Sequence, residues 1–213
     1  MLGDVTDFCR LILLRHPELA QEHKNLAVGS GTADLSRRGR AQVLHWAGVL
    51  EQVPVERVFT SDQPQCREPA QGIAEIKQAD LIQDQRLRDQ SMGKWEGRAW
   101  DDLMREESAQ VGAFFQDFGE VVAPGGESLG QAVERMLSWW TEVSPEGAGR
   151  TLAVVTSGGM LTGFAAAMLG MRLSRCVSLN LPHGGIGILD LFANGARVQT
   201  WNPDALVEVE RST

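Results

Sequence analysis

Three short runs of apolar and β-branched residues stand out along the chain. They are Leu11–Leu14, Val58–Thr60 and Leu152–Thr156. Each is short enough for a strand buried on both faces, and such strands occur in parallel sheets. Two further strands are predicted at Gly185–Leu191 and Arg197–Trp201, joined through Asn194-Gly195, because this dipeptide is a strong hairpin signal.

Helical patterns lie between these runs. Apolar residues at helical spacing follow Ser36 and Ser128, and serine is a favoured residue at a helix N-cap. A third helix is predicted after Gly159, with Gly170 at its end. Strands that alternate with helices in this way indicate an α/β fold. We therefore expect a three-layer α/β/α sandwich with a mostly parallel sheet.

Residues 85–126 interrupt this alternation. Apolar residues recur within the segment at near-helical spacing, at Trp100, Leu103, Val111, Phe114 and Phe118. We interpret it as a lid insertion, in which Trp95 and the apolar residues of 99–118 cover the ligand site. With this insertion included, we expect residues 1–213 to form a single domain. A chain of 213 residues with 43% apolar content can bury one substantial core.

The charge and the cysteine content indicate which partners, metals and location to expect. A net charge of -8 argues against a nucleic-acid partner, which would require clustered Lys and Arg. Cys9, Cys66 and Cys176 are far apart and lack zinc-ligand spacing, so we expect reduced thiols and no metal. Residues 1–14 do not resemble a signal peptide, and no window is long enough to span a membrane. We therefore expect a cytoplasmic protein with no cofactor and no membrane partner. The oligomeric state is left open.

The position of the strands predicts where chemistry takes place. Ligands of open α/β sheets bind at the carboxyl ends of the strands, where helix N-termini point their free N–H groups outward. That rule brings Arg15-His16, the segment from Ser61 and Ser157-Gly158-Gly159 to one edge. Arg15 can bind an oxyanion beside an imidazole nucleophile, and the Gly-Gly turn lets backbone amides approach a phosphate.

Five motifs occur in an order that matches a known family. The segment Leu13–Glu18, with sequence LLRHPE, resembles the RHGE signature of histidine phosphatases and cofactor-dependent phosphoglycerate mutases. The other matching segments are Asp34–Gly39, Leu87–Asp89 with Gly93–Gly97, Pro124–Ser128 (PGGES) and Ser157–Gly159. Over roughly residues 10–190, the chain thus resembles the phosphoglycerate mutase-like and phosphohistidine phosphatase branch of the histidine phosphatase superfamily.

The resemblance implies a covalent mechanism with specific residue roles. His16 would attack a phosphoryl group and form a phosphohistidine, with Arg15 as the first cationic clamp. Asp89 would protonate the leaving oxygen. Ser157 stands where the family has its second histidine, and Gly158 would help bind the phosphate.

The second cationic clamp is the clearest departure from the family pattern. An ungapped comparison puts Gln65 where the family has an arginine, so Gln65 is a candidate phosphate ligand. Arg67 is an alternative phosphate ligand, although residues two apart in a helix point about 200° away from each other. At the second histidine position, Ser157 can donate a hydrogen bond but carries no charge. Both replacements reduce the positive charge expected around a phosphate.

Other replacements change the edge of the expected site. Asp89 is one methylene shorter than the glutamate of the family pattern, and Glu106 and Glu107 are alternative proton donors. Pro17 removes a backbone N–H, and an anionic Glu22 facing a phosphate would repel it.

These observations leave several functions open. The first is a phosphomonoester hydrolase that is weak or specialised, because Gln65 and Ser157 replace two cationic groups. The alternative is a catalytically inactive pseudophosphatase that binds a ligand or a protein, and a phosphoglycerate mutase is less favoured. The expected ligand is a small phosphorylated or other anionic molecule.

Overall fold

A computed structural model describes residues 8–117 and 119–203, and a six-stranded sheet lies at their centre. The strands are β1 (Cys9–Arg15), β2 (Arg57–Thr60), β3 (Asp80–Gln83), β4 (Thr151–Thr156), β5 (Ile186–Phe192) and β6 (Gly195–Trp201). Their order is β3-β2-β4-β1-β5-β6. The first four strands in this order are parallel, and the last two run antiparallel to their neighbours. The predicted parallel strands and hairpin are confirmed, while β3 was not predicted.

Six α-helices connect these strands within the described ranges. They are α1 (Arg37–Val49), α2 (Pro64–Lys77), α3 (Trp100–Glu106), α4 (Ser108–Gln116), α5 (Leu129–Val143) and α6 (Gly158–Met168). Ser36 caps α1 by accepting a 2.8 Å hydrogen bond from the amide of Gly39. Ser128 caps α5 in a reciprocal arrangement with Gln131. None of the helices in the described part of the chain is long and apolar enough to cross a membrane.

The helices cover both faces of the sheet. Alternate residues of β1 point to opposite faces, as the pleat of a strand requires. Ile12 and Leu14 pack in a core cluster with residues of α1 and α2, whereas Leu11 and Leu13 pack with residues of α5 and α6. All four side chains are fully buried. The mostly parallel α/β/α sandwich predicted from the sequence is therefore confirmed.

The antiparallel strand β5 brings a further loop to the carboxyl edge of the parallel strands. Because β5 runs against β1, the loop before β5 lies beside the carboxyl end of β1. The amide of Arg15 donates a 3.1 Å hydrogen bond to the carbonyl of Gly185, and the amide of Gly184 donates to the carbonyl of Arg15. This loop therefore reaches the edge where the sequence predicts chemistry.

The excursion at 85–126 contains α3 and α4 and has a small core of its own. Trp95, Leu103, Val111 and Phe114 are buried there together with Ala27. Trp95 lies inside this cluster, while Met92 and Trp100 reach the cavity described below. Phe118 lies outside the described residues. The single-domain boundary and the action of this segment as a lid stay predictions.

Candidate active site

A cavity of about 410 Å³ opens at the carboxyl edge of the sheet. Arg15 and His16 reach it from the end of β1, and Ser157 reaches it from the end of β4. Asp89 enters from the excursion that follows β3. Four residues from three separate parts of the sequence thus share one cavity.

The His16 side chain is held in the form that a nucleophile requires. Its Nδ1 lies 3.0 Å from the carbonyl oxygen of Pro17. Because a carbonyl only accepts hydrogen bonds, Nδ1 carries the hydrogen and Nε2 keeps its lone pair. Burial, assisted by the nearby His183 and Arg15 side chains, lowers the pKa of His16 to about 3. His16 is therefore neutral over the physiological pH range.

The Arg15 guanidinium is anchored at both ends. Its Nη1 donates a 2.6 Å hydrogen bond to the carbonyl of Leu181, and its Nη2 lies 3.1 Å from Nε2 of His183. The Nε atom is buried and has no hydrogen-bond partner among the described residues. A Cβ atom at Gly158 would stand 2.9 Å from Cζ of Arg15, so a side chain at this position would require the guanidinium to shift. A role for the Gly158 amide in phosphate binding stays a prediction.

Asp89 and Ser157 form a short hydrogen bond inside the cavity. The Ser157 hydroxyl donates to Oδ1 of Asp89 at 2.5 Å, and the Gln90 amide donates to the same oxygen at 2.8 Å. Ser157 is the N-cap of α6 but makes no side-chain cap, so its hydroxyl is available to Asp89. Burial raises the pKa of Asp89 above its ordinary value, and the hydrogen bond from Ser157 opposes that rise. A raised pKa suits a proton donor.

Arg135 holds the segment that carries Asp89. Its guanidinium donates to the carbonyls of Arg86 and Arg88 at 2.7 and 3.2 Å. It also pairs with Glu127 of the PGGES motif at 2.6 Å. The motif thus contributes to the site indirectly, by fixing the backbone next to Asp89.

Gln65 lines the cavity, but its amide is engaged elsewhere. Its Oε1 accepts a 3.1 Å hydrogen bond from the Ala33 amide, and its Nε2 donates to the Gly31 carbonyl at 3.0 Å. Gln65 therefore ties the loop at 29–33 to the first turn of α2. Phosphate binding by Gln65 stays a prediction.

Arg67 is exposed and is not among the residues that line the cavity. Two residues beyond Gln65 on the same helix, it points away from the site, so its placement gives no support to the expected role in phosphate binding. Glu106 and Glu107, the alternative proton donors, both pair with Arg98 and also lie outside the cavity.

His183, which the sequence patterns did not predict, lines the cavity beside Arg15 and His16. The rings of His16 and His183 have centroids 4.9 Å apart. A topological signal was present in the sequence. A strand that runs antiparallel to β1 starts at the edge where β1 ends, so residues just before β5 belong to the site.

The rest of the cavity wall is mainly apolar. Leu19, Leu26, Met92 and Trp100 contribute side chains to it. Lys24 adds a cation, which lies 3.8 Å from a carboxylate oxygen of Glu18. A ligand in this cavity therefore meets the positive charge of Arg15 together with apolar, polar and charged side chains.

A cluster of three residues could hold a metal ion near the cavity. Ligand atoms of Glu22, His23 and Asp34 lie within 4.8 Å of one another, and His23 also lines the cavity. Glu22 and Asp34 are exposed. Exposed acidic groups commonly lie together on protein surfaces without a metal, so we assign none here.

Comparison with known proteins agrees with this geometry. The model of the histidine phosphatase superfamily (branch 1) matches residues 11–204. The chain therefore belongs to the histidine phosphatase superfamily, as its motifs predicted. It is 25% identical to phosphoserine phosphatase 1 of Hydrogenobacter thermophilus over 182 residues, which cover 85% of this chain and 86% of that protein.

Solved structures show the same fold. The α-ribazole phosphatase from Shigella flexneri superposes with a TM-score of 0.82 at 24% identity, covering 92% of this chain and 97% of that one. A mycobacterial glucosyl-3-phosphoglycerate phosphatase in complex with inorganic phosphate gives a TM-score of 0.77 at 22% identity, covering 91% and 97% of the two chains. These two structures show the fold. Phosphoserine phosphatase 1 and other curated proteins similar to this chain are phosphatases, and they lend no support to the alternative of an inactive binding protein.

Proposed function

We propose that the protein is a phosphomonoesterase that works through a phosphohistidine at His16. The observation that carries this proposal is the hydrogen bond from Nδ1 of His16 to the Pro17 carbonyl, because it leaves Nε2 as a neutral nucleophile. Arg15, Asp89 and Ser157 line the same cavity and supply the other groups that phosphoryl transfer needs.

The reaction proceeds in two steps. In the first, Nε2 of His16 attacks phosphorus, the ester P–O bond breaks, and the Asp89 carboxyl gives its proton to the leaving oxygen. In the second, water attacks the phosphohistidine, the N–P bond breaks, and Asp89 takes a proton from that water. Arg15 balances charge on the phosphoryl oxygens in both steps.

Turnover is expected to be slow or restricted to particular esters. The loss of one preorganised donor typically lowers a rate by about 100- to 1,000-fold. Gln65 and Ser157 are both uncharged where the family pattern has cationic groups. We also propose a small phosphorylated substrate whose remaining part contacts both apolar side chains, such as Leu19, Leu26, Met92 and Trp100, and polar ones, such as Glu18 and Asn25. The three buried free cysteines support a cytoplasmic location.

The test is hydrolysis of an aryl phosphate ester by the purified protein, compared with the His16→Ala variant. We expect phosphate release by the wild type and none by His16→Ala, while His45→Ala retains the wild-type rate. His45 lies on the exposed side of α1, outside the cavity. Intact mass spectrometry of acid-free quenched samples should show one added phosphoryl group in the wild type only.

Two results would contradict the proposal. One is equal phosphate release by the wild type and His16→Ala, which would point to a contaminant or to another nucleophile. The other is no release from aryl or alkyl esters at any pH at which the protein stays folded.

A further inference from the structure

The loop before β5 is fixed against the nucleophile segment by its backbone and by two side chains of α1. The amide of Gly184 donates to the carbonyls of Arg15 and His16 at 3.2 and 3.3 Å. From α1, Nε2 of Gln42 donates to the His183 carbonyl at 2.9 Å, and Nε1 of Trp46 donates to the Gly184 carbonyl at 2.6 Å. His183 is therefore held in place on both sides.

Gly184 allows this close approach. Its φ of +74° lies in the left-handed region, and a Cβ atom there would come within 2.7 Å of the Gln42 side chain. The backbone next to His183 thus has a geometry that an L side chain would strain. This tight fit indicates a built position for the imidazole and not a chance surface contact.

The hydrogen bonds of His183 define its tautomer. Nδ1 lies 3.3 Å from the carbonyl oxygen of His16, which only accepts, so Nδ1 carries the hydrogen. Nε2 is then an acceptor, and Nη2 of Arg15 lies 3.1 Å from it. A neutral imidazole fits both contacts, and burial lowers the pKa of His183 to about 4.

This arrangement determines which groups of Arg15 remain available. The Leu181 carbonyl takes one hydrogen of Nη1, and His183 takes one hydrogen of Nη2. The buried Nε–H has no partner among the described residues, and each Nη keeps a second hydrogen. One loop therefore holds both Nη atoms of the guanidinium and leaves its other N–H groups as candidate donors for an oxyanion.

We propose that His183 is a positioning residue, whose neutral imidazole orients the Arg15 guanidinium toward the phosphoryl group on His16. The inference rests on the proposed function, since it takes the ligand of Arg15 to be a phosphoryl group. With no arginine at position 65, phosphoryl binding depends on the half-buried Arg15, because Lys24, the other Lys or Arg that lines the described cavity, is exposed and lies 3.8 Å from Glu18. The orientation of Arg15 then matters more than it would in a site with two arginines.

The experiment compares His183→Gln with His183→Phe and uses inorganic phosphate as the probe. Glutamine can present an acceptor oxygen to Arg15, whereas phenylalanine fills the space without one. We expect His183→Phe to weaken phosphate binding by about 10- to 100-fold, the usual effect of losing a hydrogen bond to a charged group. The kcat/KM for an aryl phosphate should fall about 100-fold, whereas His183→Gln should stay within about fivefold of wild type.

A spectroscopic measurement separates positioning from a general structural effect. The Nε–H resonance of Arg15 in ¹⁵N-detected spectra, assigned by its loss in Arg15→Lys, should broaden or shift in His183→Phe and stay near its wild-type position in His183→Gln. His45→Phe is the matched control, because it removes an exposed imidazole from α1 and should leave binding, rate and resonance unchanged. If His183→Phe does not fold, His183→Asn replaces it, since this shorter amide cannot reach Arg15.

Specific outcomes would overturn the inference. One such outcome is an equal loss of phosphate binding and kcat/KM in His183→Gln and in His183→Phe (or His183→Asn), with an unchanged Arg15 resonance. It would show that the imidazole acts on the substrate itself. Unchanged phosphate binding in both variants would show that Arg15 needs no such support. A wild-type protein that binds phosphate but hydrolyses no ester would defeat the proposed function. Phosphate binding and the Arg15 resonance would still decide whether His183 positions Arg15, because neither measurement requires turnover.

Discussion

Ser157 donates a 2.5 Å hydrogen bond to the carboxylate of Asp89, so the residue in the second histidine position is paired with the candidate proton donor. The two side chains come from distant parts of the sequence. Ser157 follows β4, and Asp89 lies in the excursion after β3. A hydrogen bond to the charged form of a carboxyl lowers its pKa. Here it opposes the rise that burial causes in Asp89.

Removal of the Ser157 hydroxyl should extend activity to higher pH. Asp89 must be protonated to donate, so activity is lost as the pH rises through its pKa. Ser157→Ala removes the hydrogen bond that lowers this pKa, so the pKa of Asp89 should rise further. The basic limb of kcat against pH should therefore move upward in Ser157→Ala, while Ser157→Thr, which keeps a hydroxyl, should resemble wild type. A basic limb that stays in place or moves downward would exclude Asp89 as its origin.

Asp89→Asn should affect esters according to their leaving groups. An alkyl oxygen needs a proton as it leaves, whereas a nitrophenolate leaves readily without one. We expect kcat to fall by about 100-fold or more for an alkyl phosphate and by less than about tenfold for a nitrophenyl phosphate. Equal losses for both substrates would assign Asp89 to binding or structure. Asp62→Asn is a control, because Asp62 pairs with Arg88 near the same segment but does not line the cavity.

The substitution of glutamine should lower kcat/KM much more at Arg15 than at Arg67. Arg15→Gln removes the cation beside His16, so we expect kcat/KM to fall by about 100- to 1,000-fold and inhibition by phosphate to weaken. Arg67 is exposed outside the cavity, so Arg67→Gln should change kcat/KM by less than about twofold. A large loss in Arg67→Gln would mean that α2 brings this side chain into the site when substrate is bound.

Most strands of the sheet, and the position of Arg15-His16 at its edge, could be predicted because both depend on local patterns. Leu11–Leu14 forms a buried strand, and Arg15-His16 follows directly from its end. His183 was not predicted, because its role depends on a contact between its ring and the backbone of His16. These two residues are 167 positions apart in the sequence. The engagement of Gln65 also depends on a distant loop at 31–33, and no periodicity in the sequence reports such a contact.

The structural role of Gln65 leads to a prediction about stability. Ala33 is buried, and Oε1 of Gln65 accepts the hydrogen bond from its amide. Gln65→Met fills a similar volume but leaves that N–H without this partner. A buried donor left unsatisfied costs about 1–3 kcal/mol, so the free energy of unfolding measured in urea should fall by that amount. The Gly31 carbonyl should be less affected, because Nε2 of Gln63 also donates to it at 2.9 Å.

Gln71→Met provides the matched control for this substitution. Gln71 lies on the same helix but is exposed, and its amide pairs with Glu75. Its replacement should change the free energy of unfolding by less than about 0.5 kcal/mol. If Gln65→Met were as stable as wild type but bound inorganic phosphate more weakly, Gln65 would be a phosphate ligand and not an anchor for the loop. Loss of stability with little change in phosphate affinity is the result we expect, because both polar ends of the Gln65 amide already bond to backbone.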